Sequence, residues 1–206
     1  MLDVGAGRGE FTSGLQAALG VKEVFGVDGS PDAVAASLEG GIHASVVNLN
    51  LDRLPFDQCE FDLVTMIETI EHLEDVEHCL TEVARVTRPA GCLLVTTPNL
   101  ASWHGRLSLL LGFQPFTLDV GFRHHYGSLV RFSGKSAGHI RGFTIPALRE
   151  LASECGFRLV KLSSCAVSFE TGTAASRAMH LLDRTLSMSS AWGSDLIALF
   201  HKSTGD

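Results

Sequence analysis

No stretch of the 206 residues holds 18 consecutive apolar side chains, about the least that crosses a bilayer as a helix. A membrane span is therefore not expected, and the longest candidate, "LSLLLGF" at 107 to 113, is far too short. No basic-then-apolar leader opens the sequence. Positive charge is scarce: 16 Lys and Arg face 23 Asp and Glu, a formal net charge of −7. Such a surface repels polyanions, so nucleic acid is not the expected partner. The cysteines Cys59, Cys79, Cys92, Cys155 and Cys165 are odd in number and form no C-x-x-C pair, which argues against a disulfide framework or a zinc knuckle. A reduced, cytoplasmic chain is expected. With 45% hydrophobic and 19% charged residues, the composition is that of an ordinary globular protein of one domain.

Short β-rich runs alternate with helical patterns through the first half, which predicts βαβ units and a parallel sheet. The strands are expected at Met1–Val4, Glu23–Val27, Ala44–Val47, Phe61–Met66 and Cys92–Thr97. Helices are expected at Glu10–Leu19, Pro31–Leu38 and Val76–Val86, with Ser30 as cap and Val76, Cys79, Leu80 and Val83 on one apolar face. After Asn99 the rhythm breaks: residues 100 to 143 read as a helix, Leu100–Leu111, followed by a Gly-rich, aromatic and basic stretch, a lid or substrate insertion. Regular structure resumes with Thr144 as a cap, a helix Ile145–Cys155, a strand Phe157–Leu162, a helix Ala174–Met188 and a strand Asp195–His201. Leu148, Leu151, Ala152 and Cys155 form one packing face, and Ala178, Leu181, Leu182 and Leu186 another.

"LDVGAGRGE" ends the first strand on Asp3 and sets Gly5, Gly7 and Gly9 at alternate positions before a helix. Glycines there let the backbone turn sharply and approach a ligand. A dinucleotide fingerprint would need a small residue at position 10, where Glu10 stands, so the spacing favours a smaller or cationic nucleoside. The second strand ends "GVDGS", putting Asp28 where an acid either grips ribose hydroxyls or caps the next helix.

These segments, with "LPFDQCEFDLVTMIETIEHLED" and "ARVTRPAGCLLVTTPN", resemble the class I S-adenosylmethionine-dependent methyltransferases over about 100 continuous residues. The resemblance implies an α/β, Rossmann-like, doubly wound, mostly parallel seven-stranded sheet with an antiparallel last strand and a lid insertion after strand five. It implies S-adenosylmethionine as methyl donor, S-adenosylhomocysteine as product and a small-molecule acceptor. Carried over by position, Asp3, Gly5, Ala6, Gly7 and Gly9 surround the methionine part and the sulfonium. Asp28 holds the ribose, Asn48, Leu49 and Asn50 border the adenine, and Gly29, Ser30 and Glu68 complete the cofactor-binding set. Many members carry Asp-Leu-Asn where this chain has Asn48-Leu49-Asn50. Members also have residues ahead of the first strand, which here begins at Met1, so the cofactor's cover falls either to preceding residues or to the 100 to 143 segment.

"IETIEHLED" places Glu68, Glu71 and His72 after the fourth strand, at the edge where open α/β sheets bind ligands. If a helical turn starts there, the three share a face. Two carboxylates and an imidazole suit a divalent metal, with His139 as a fourth ligand. The arrangement is similar to the E-x-x-E-H of ubiquinone-pathway O-methyltransferases and small-RNA terminal 2′-O-methyltransferases, and "GHIRGFT" approximates the latter's later element. Without a metal, His139 or His72 is the expected general base, and Glu71 and His72 otherwise bond locally.

From Arg106 to Arg149 the chain carries Arg106, Arg123, Arg131, Lys135, Arg141 and Arg149 against one acid, Asp119. The patch favours an anionic acceptor, or else its charges are scattered on the surface. Trp192 reads as a packing or dimer residue; oligomeric state is otherwise not legible. The expectation is O-methylation of a small acceptor. The alternatives are a terminal RNA 2′-O-methyltransferase and a non-catalytic, nucleoside-binding regulatory module.

Overall fold

A computed structural model describes residues 1–129, 136–166 and 174–203. Seven strands form one sheet: β1 Leu2–Val4, β2 Phe25–Asp28, β3 His43–Val46, β4 Phe61–Ile67, β5 Thr87–Pro98, β6 Phe157–Cys165 and β7 Asp195–Lys202. Their order is β3-β2-β1-β4-β5-β7-β6. Strands β1 to β5 pair in parallel, and β7 runs antiparallel to both β5 and β6. The order reverses between β1 and β4, and the crevice outside the carboxyl ends of these two strands is where such sheets take ligands.

Strand centres read as continuous apolar runs because both faces of the sheet are covered. Leu2, Val4, Val27, Val64, Met66, Leu93, Leu196 and Phe200 are all shut off from solvent. Among the described residues six α-helices accompany them: α1 Glu10–Leu19, α2 Pro31–Glu39, α3 Val76–Val86, α4 Trp103–Leu110, α5 Ile145–Glu154 and α6 Ala174–Leu186. Val76, Cys79, Leu80 and Val83 of α3 are buried as one face, as are Leu148 and Ala152 of α5. The caps are local chemistry: the side chains of Ser30, Asp75 and Thr144 accept from Ala33, His78 and Ala147 amides.

Several expectations need correction; β6 runs three residues past the expected Leu162, to Cys165. Strand β5 begins at Thr87, five residues ahead of the expected Cys92, because Thr87 pairs Phe61 before the register shifts to Leu63 and Cys92. Helix α4 starts at Trp103 and not Leu100, since the Asn99 side chain accepts from Ala101 N and Ser102 takes the cap, accepting from Gly105 N. Helix α6 presents the opposite face to the one its apolar spacing predicts. Asp183 is buried, whereas Leu181 is 66% and Leu182 46% exposed.

The inversion of α6 has a cause. Asp183 Oδ1 accepts from Trp103 Nε1 and from Ser194 Oγ, both at 2.6 Å. Ser194 also meets His104 Nε2 at 3.0 Å, and His104 Nδ1 meets Ser102 Oγ at 3.1 Å. Burial pushes the His104 imidazole down to about 4, so the ring is neutral and passes hydrogen bonds along. A buried carboxylate is tolerated when donors surround it, and this network fastens α4 and α6 to the start of β7.

Candidate functional site

Above the carboxyl ends of β1, β2 and β4 lies a cavity of about 440 Å³, lined by Gly5, Asp28, Gly29, Asn48, Leu49, Asn50, Glu68, Thr69, His72 and Leu73. Its floor is the loop after β1. Gly5 has φ +79°, and a Cβ there would lie 2.5 Å from Thr69 Cγ2, so only glycine fits. Gly9 has φ +82° and a Cβ on it would meet Ile42 and Ser37. Helix α1 starts from Gly9 with no side-chain cap, leaving its first amides to be satisfied otherwise.

Asp28 joins two loops: its Oδ2 accepts from Gly7 N at 2.9 Å and its Oδ1 from Ser30 N at 2.8 Å. Both bonds hold the carboxylate at the cavity wall. Asp3 lies beneath the loop, 2% exposed, with its oxygens accepting from the Thr12 and Thr65 hydroxyls. It positions the glycine loop and does not line the cavity. Asn48 Oδ1 accepts from Asn50 N, and Asn50 Oδ1 accepts from Glu74 N and Asp75 N, which ties the loop after β3 to the one after β4.

Glu68, Glu71 and His72 are not three positions of one helical face. Glu68 has a left-handed φ of +48° and precedes a single 3-10 turn, Ile70–His72. Its amide donates to Thr96 O, and its Oε1 accepts from the Thr96 hydroxyl at 2.7 Å. A non-glycine residue at such a φ is costly and marks positions held by their surroundings.

Among the described residues, the group able to share an ion is Glu71, His72 and His139, whose ligand atoms lie within 4.8 Å of one another; Glu68 stands beside it. Glu71 is 1% exposed. Its Oε2 accepts from the Thr97 hydroxyl at 3.0 Å, and its Oε1 is buried without a partner. His72 Nδ1 faces the Gly138 carbonyl at 3.1 Å, so Nδ1 carries the proton and Nε2 the free lone pair. His139 sits 5.0 Å from His72 between ring centroids, and its Nδ1 has no partner. The segment carrying His139 is pinned here: Ile140 N and Arg141 N donate to Glu71 O, and Asp119 Oδ2 accepts from Gly138 N and His139 N.

Burial, and then the charge of Glu68, pushes the Glu71 carboxyl up to about 8. Burial, followed by Glu68 and Asp183, lifts Asp195 to about 6. Burial and the neighbouring His72 lower His139. A carboxyl raised on folding gives stability that is complete below its unfolded value and is lost as pH climbs through the folded one. Above about pH 6.5 His104 and His139, lowered by burial, are neutral in the folded protein, and the Met1 amine, also lowered by burial, acts in the opposite sense, so a fall in stability points to Glu71. In EDTA-treated protein the melting temperature should fall between pH 6.5 and 8.5, for a loss on the order of 2 kcal/mol, roughly 4 to 8 °C. Glu71→Gln should flatten that slope in a differential scanning fluorimetry series; an unchanged slope would assign it elsewhere.

Two arginines of the basic stretch are committed to structure. Arg106 donates to Ala101 O and Ala191 O and lies 4.8 Å over the Trp192 ring. Arg141 donates to Leu73 O and Glu74 O. Arg131 and Lys135 lie outside the described residues. Sequence reasoning passed over Thr69 and Leu73 of the cavity wall and the Thr96, Thr97 and Asp195 side chains near the two glutamates. Only the "TTPN" run after an apolar strand hinted at them.

The comparisons with known proteins agree with this geometry. A sequence profile described as "Methyltransferase domain" matches residues 2–95. Demethylmenaquinone methyltransferase of Bacillus cytotoxicus is 32% identical over 194 residues, 87% of this chain and 76% of that protein. A protein of Mycobacterium tuberculosis described as "Probable S-adenosylmethionine-dependent methyltransferase" is 35% identical over 99 residues, and the match spans 35% of its length and 48% of this chain. The chain thus spans about a third of that mycobacterial relative. A solved S-adenosylmethionine-dependent methyltransferase of Methanosarcina mazei superposes with a TM-score of 0.67 at 18% identity, covering 99% of this chain and 92% of that one.

Proposed function

We propose that this chain, which belongs to the S-adenosylmethionine-dependent methyltransferases, binds that nucleoside in the 440 Å³ cavity and moves its methyl group to an oxygen of a small acceptor. The observation that carries the reading is the junction of a Cβ-free loop at Gly5 with the Asp28 carboxylate, both on the wall of a cavity of ligand size. In this reading the Gly5 to Gly9 loop lies against the methionine part, Asp28 accepts from the ribose hydroxyls, and Asn48, Leu49 and Asn50 border the adenine. The cofactor supplies an electrophilic methyl group. The chain's part is to orient it, exclude water and take the acceptor's proton.

That proton goes to His139 or His72. Each offers an imidazole nitrogen with a free lone pair near the cavity, and burial keeps His139 neutral at physiological pH. A divalent ion also fits the donor set, since Glu71 Oε1 and His139 Nδ1 are both buried and unpartnered. Glu71, His72 and His139 would hold it, with Glu68 next to them, and it would supply Lewis acidity that lowers the pKa of an acceptor hydroxyl. Residues 1–206 are read as one methyltransferase domain, with 100–143 as a lid or substrate insertion.

An anionic acceptor is the expectation from the six basic residues between Arg106 and Arg149. Two of the described arginines there spend their donors on backbone carbonyls, while the cavity wall itself carries Asp28 and Glu68, so a neutral acceptor is better supported. The test is product formation from labelled S-adenosylmethionine with a panel of small hydroxylated compounds and amines. Methylated oxygen is expected. Turnover on amines alone would overturn the oxygen reading. Binding without turnover would favour the regulatory module, and steeply salt-dependent RNA binding would favour the RNA enzyme.

A further inference from the structure

Large apolar side chains are distributed unevenly over the surface. Along 107 to 113, Leu107, Leu110, Leu111 and Phe113 are each 40% exposed or more. Along 179 to 192 the same holds for Leu181, Leu182, Met188 and Trp192, with Met188 at 87%. Soluble monomers seldom gather so many in one place, and when they do the patch is a contact surface.

The two stretches make one face. Trp103 at the start of α4 bonds Asp183 in the middle of α6, Trp103 N donates to Trp192 O, and Arg106 covers the Trp192 ring. Helix α6 shows that the exposure is built in. It turns Asp183 inward, with Ser187 just beyond its end also buried, and points Leu181 and Leu182 outward. A helix that buries its polar residue and exposes its leucines is oriented for a medium less polar than water.

Charge identifies the medium. Within 103 to 129 and 177 to 192 the fixed cations are Arg123, Arg177 and Arg184, all exposed, and Arg106, which already donates to two backbone carbonyls. The only acids there are Asp119 and Asp183. Asp183 is fully buried, and Asp119 bonds His125 with its side chain 3% exposed. On a chain of net charge −7, the exposed Asp, Glu, Lys and Arg side chains of these two described stretches are all positive. Another copy of the same chain would set these arginines against each other, whereas an anionic lipid surface satisfies both the leucines and the arginines.

We propose that the α4–α6 face docks on the surface of an anionic lipid bilayer, with the leucines of both helices seated at the acyl boundary and the arginines among the headgroups. The docking stands independently of the methyl-transfer reading. The experiment is flotation of the full chain with vesicles of phosphatidylcholine alone and with about a third phosphatidylglycerol, at low and high salt. Bound protein should be at least fivefold greater on the anionic vesicles and should fall with salt. A Leu110→Glu, Leu181→Glu double variant should lose at least tenfold of that binding while keeping its melting temperature and its S-adenosylmethionine affinity, because both positions are exposed. Equal, weak recovery on both vesicle types would overturn the proposal. So would light scattering that shows a dimer abolished by the same two substitutions, since a second copy would then cover the face.

Discussion

Gly5→Ala is expected to lower S-adenosylmethionine affinity at least ~100-fold, on the order of 3 kcal/mol. Two costs add at this position. The backbone is left-handed at φ +79°, which disfavours any Cβ by about 1 to 2 kcal/mol. The new methyl would also drive into Thr69, whose hydroxyl is anchored on Ile67 O at 3.0 Å and cannot swing away without losing that bond. Relief must come from moving the loop or the turn that carries Thr69, and both are cavity walls. Gly14→Ala is the control. It sits inside α1 with open space around it, so alanine should leave binding unchanged and raise stability by about 1 kcal/mol. Isothermal titration and thermal melts on the two variants separate loop geometry from a general intolerance of alanine.

His139→Ala should reduce turnover about 100-fold or more while changing cofactor affinity less than threefold. The group removed is a buried imidazole with a free Nδ1 beside Glu71 and His72, and the removal of a positioned acid or base typically costs ~10²- to 10⁴-fold. It is absent from the cavity lining, which is why binding should survive. Glu71→Gln sharpens the result. If an ion is held, Mn²⁺ uptake followed by electron paramagnetic resonance should vanish in both variants. If His139 acts as a base alone, Glu71→Gln should leave turnover within about tenfold of wild type. Unimpaired turnover in His139→Ala would remove this histidine from the chemistry altogether.

Much of this architecture can be read from the residues in order. The apolar runs of β1, β4 and the second half of β5, and the single apolar stripe of α3, mark the units from Leu2 to Val95. Ser30-Pro31 and Thr144 announce their helices by capping chemistry alone. What escaped the sequence is tertiary. Leu181 and Leu182 sit at helical spacing and suggest a buried face, yet Asp183 wins the interior because Trp103 and Ser194 wait there as donors. No local pattern announces a partner 80 residues away and another 11 residues on, past the helix end. Glu68 likewise looks like the first member of a helical triad, but its left-handed backbone and its bond to Thr96 set it apart from the turn that carries Glu71 and His72. Arg106 and Arg141 look like ligand-seeking charges until their carbonyl partners are seen. Charge in a sequence records what a side chain can donate, not where the donors are spent.

The most direct measurement is a calorimetric titration of S-adenosylmethionine into the wild-type protein and into Asp28→Ala. Asp28 fastens the Gly7 and Ser30 amides and faces the cavity. Saturable one-to-one binding is predicted for the wild type, with at least ~30-fold weaker binding in the variant, on the order of 2 kcal/mol. No uptake by the wild type, or equal affinity in the two proteins, would contradict the account.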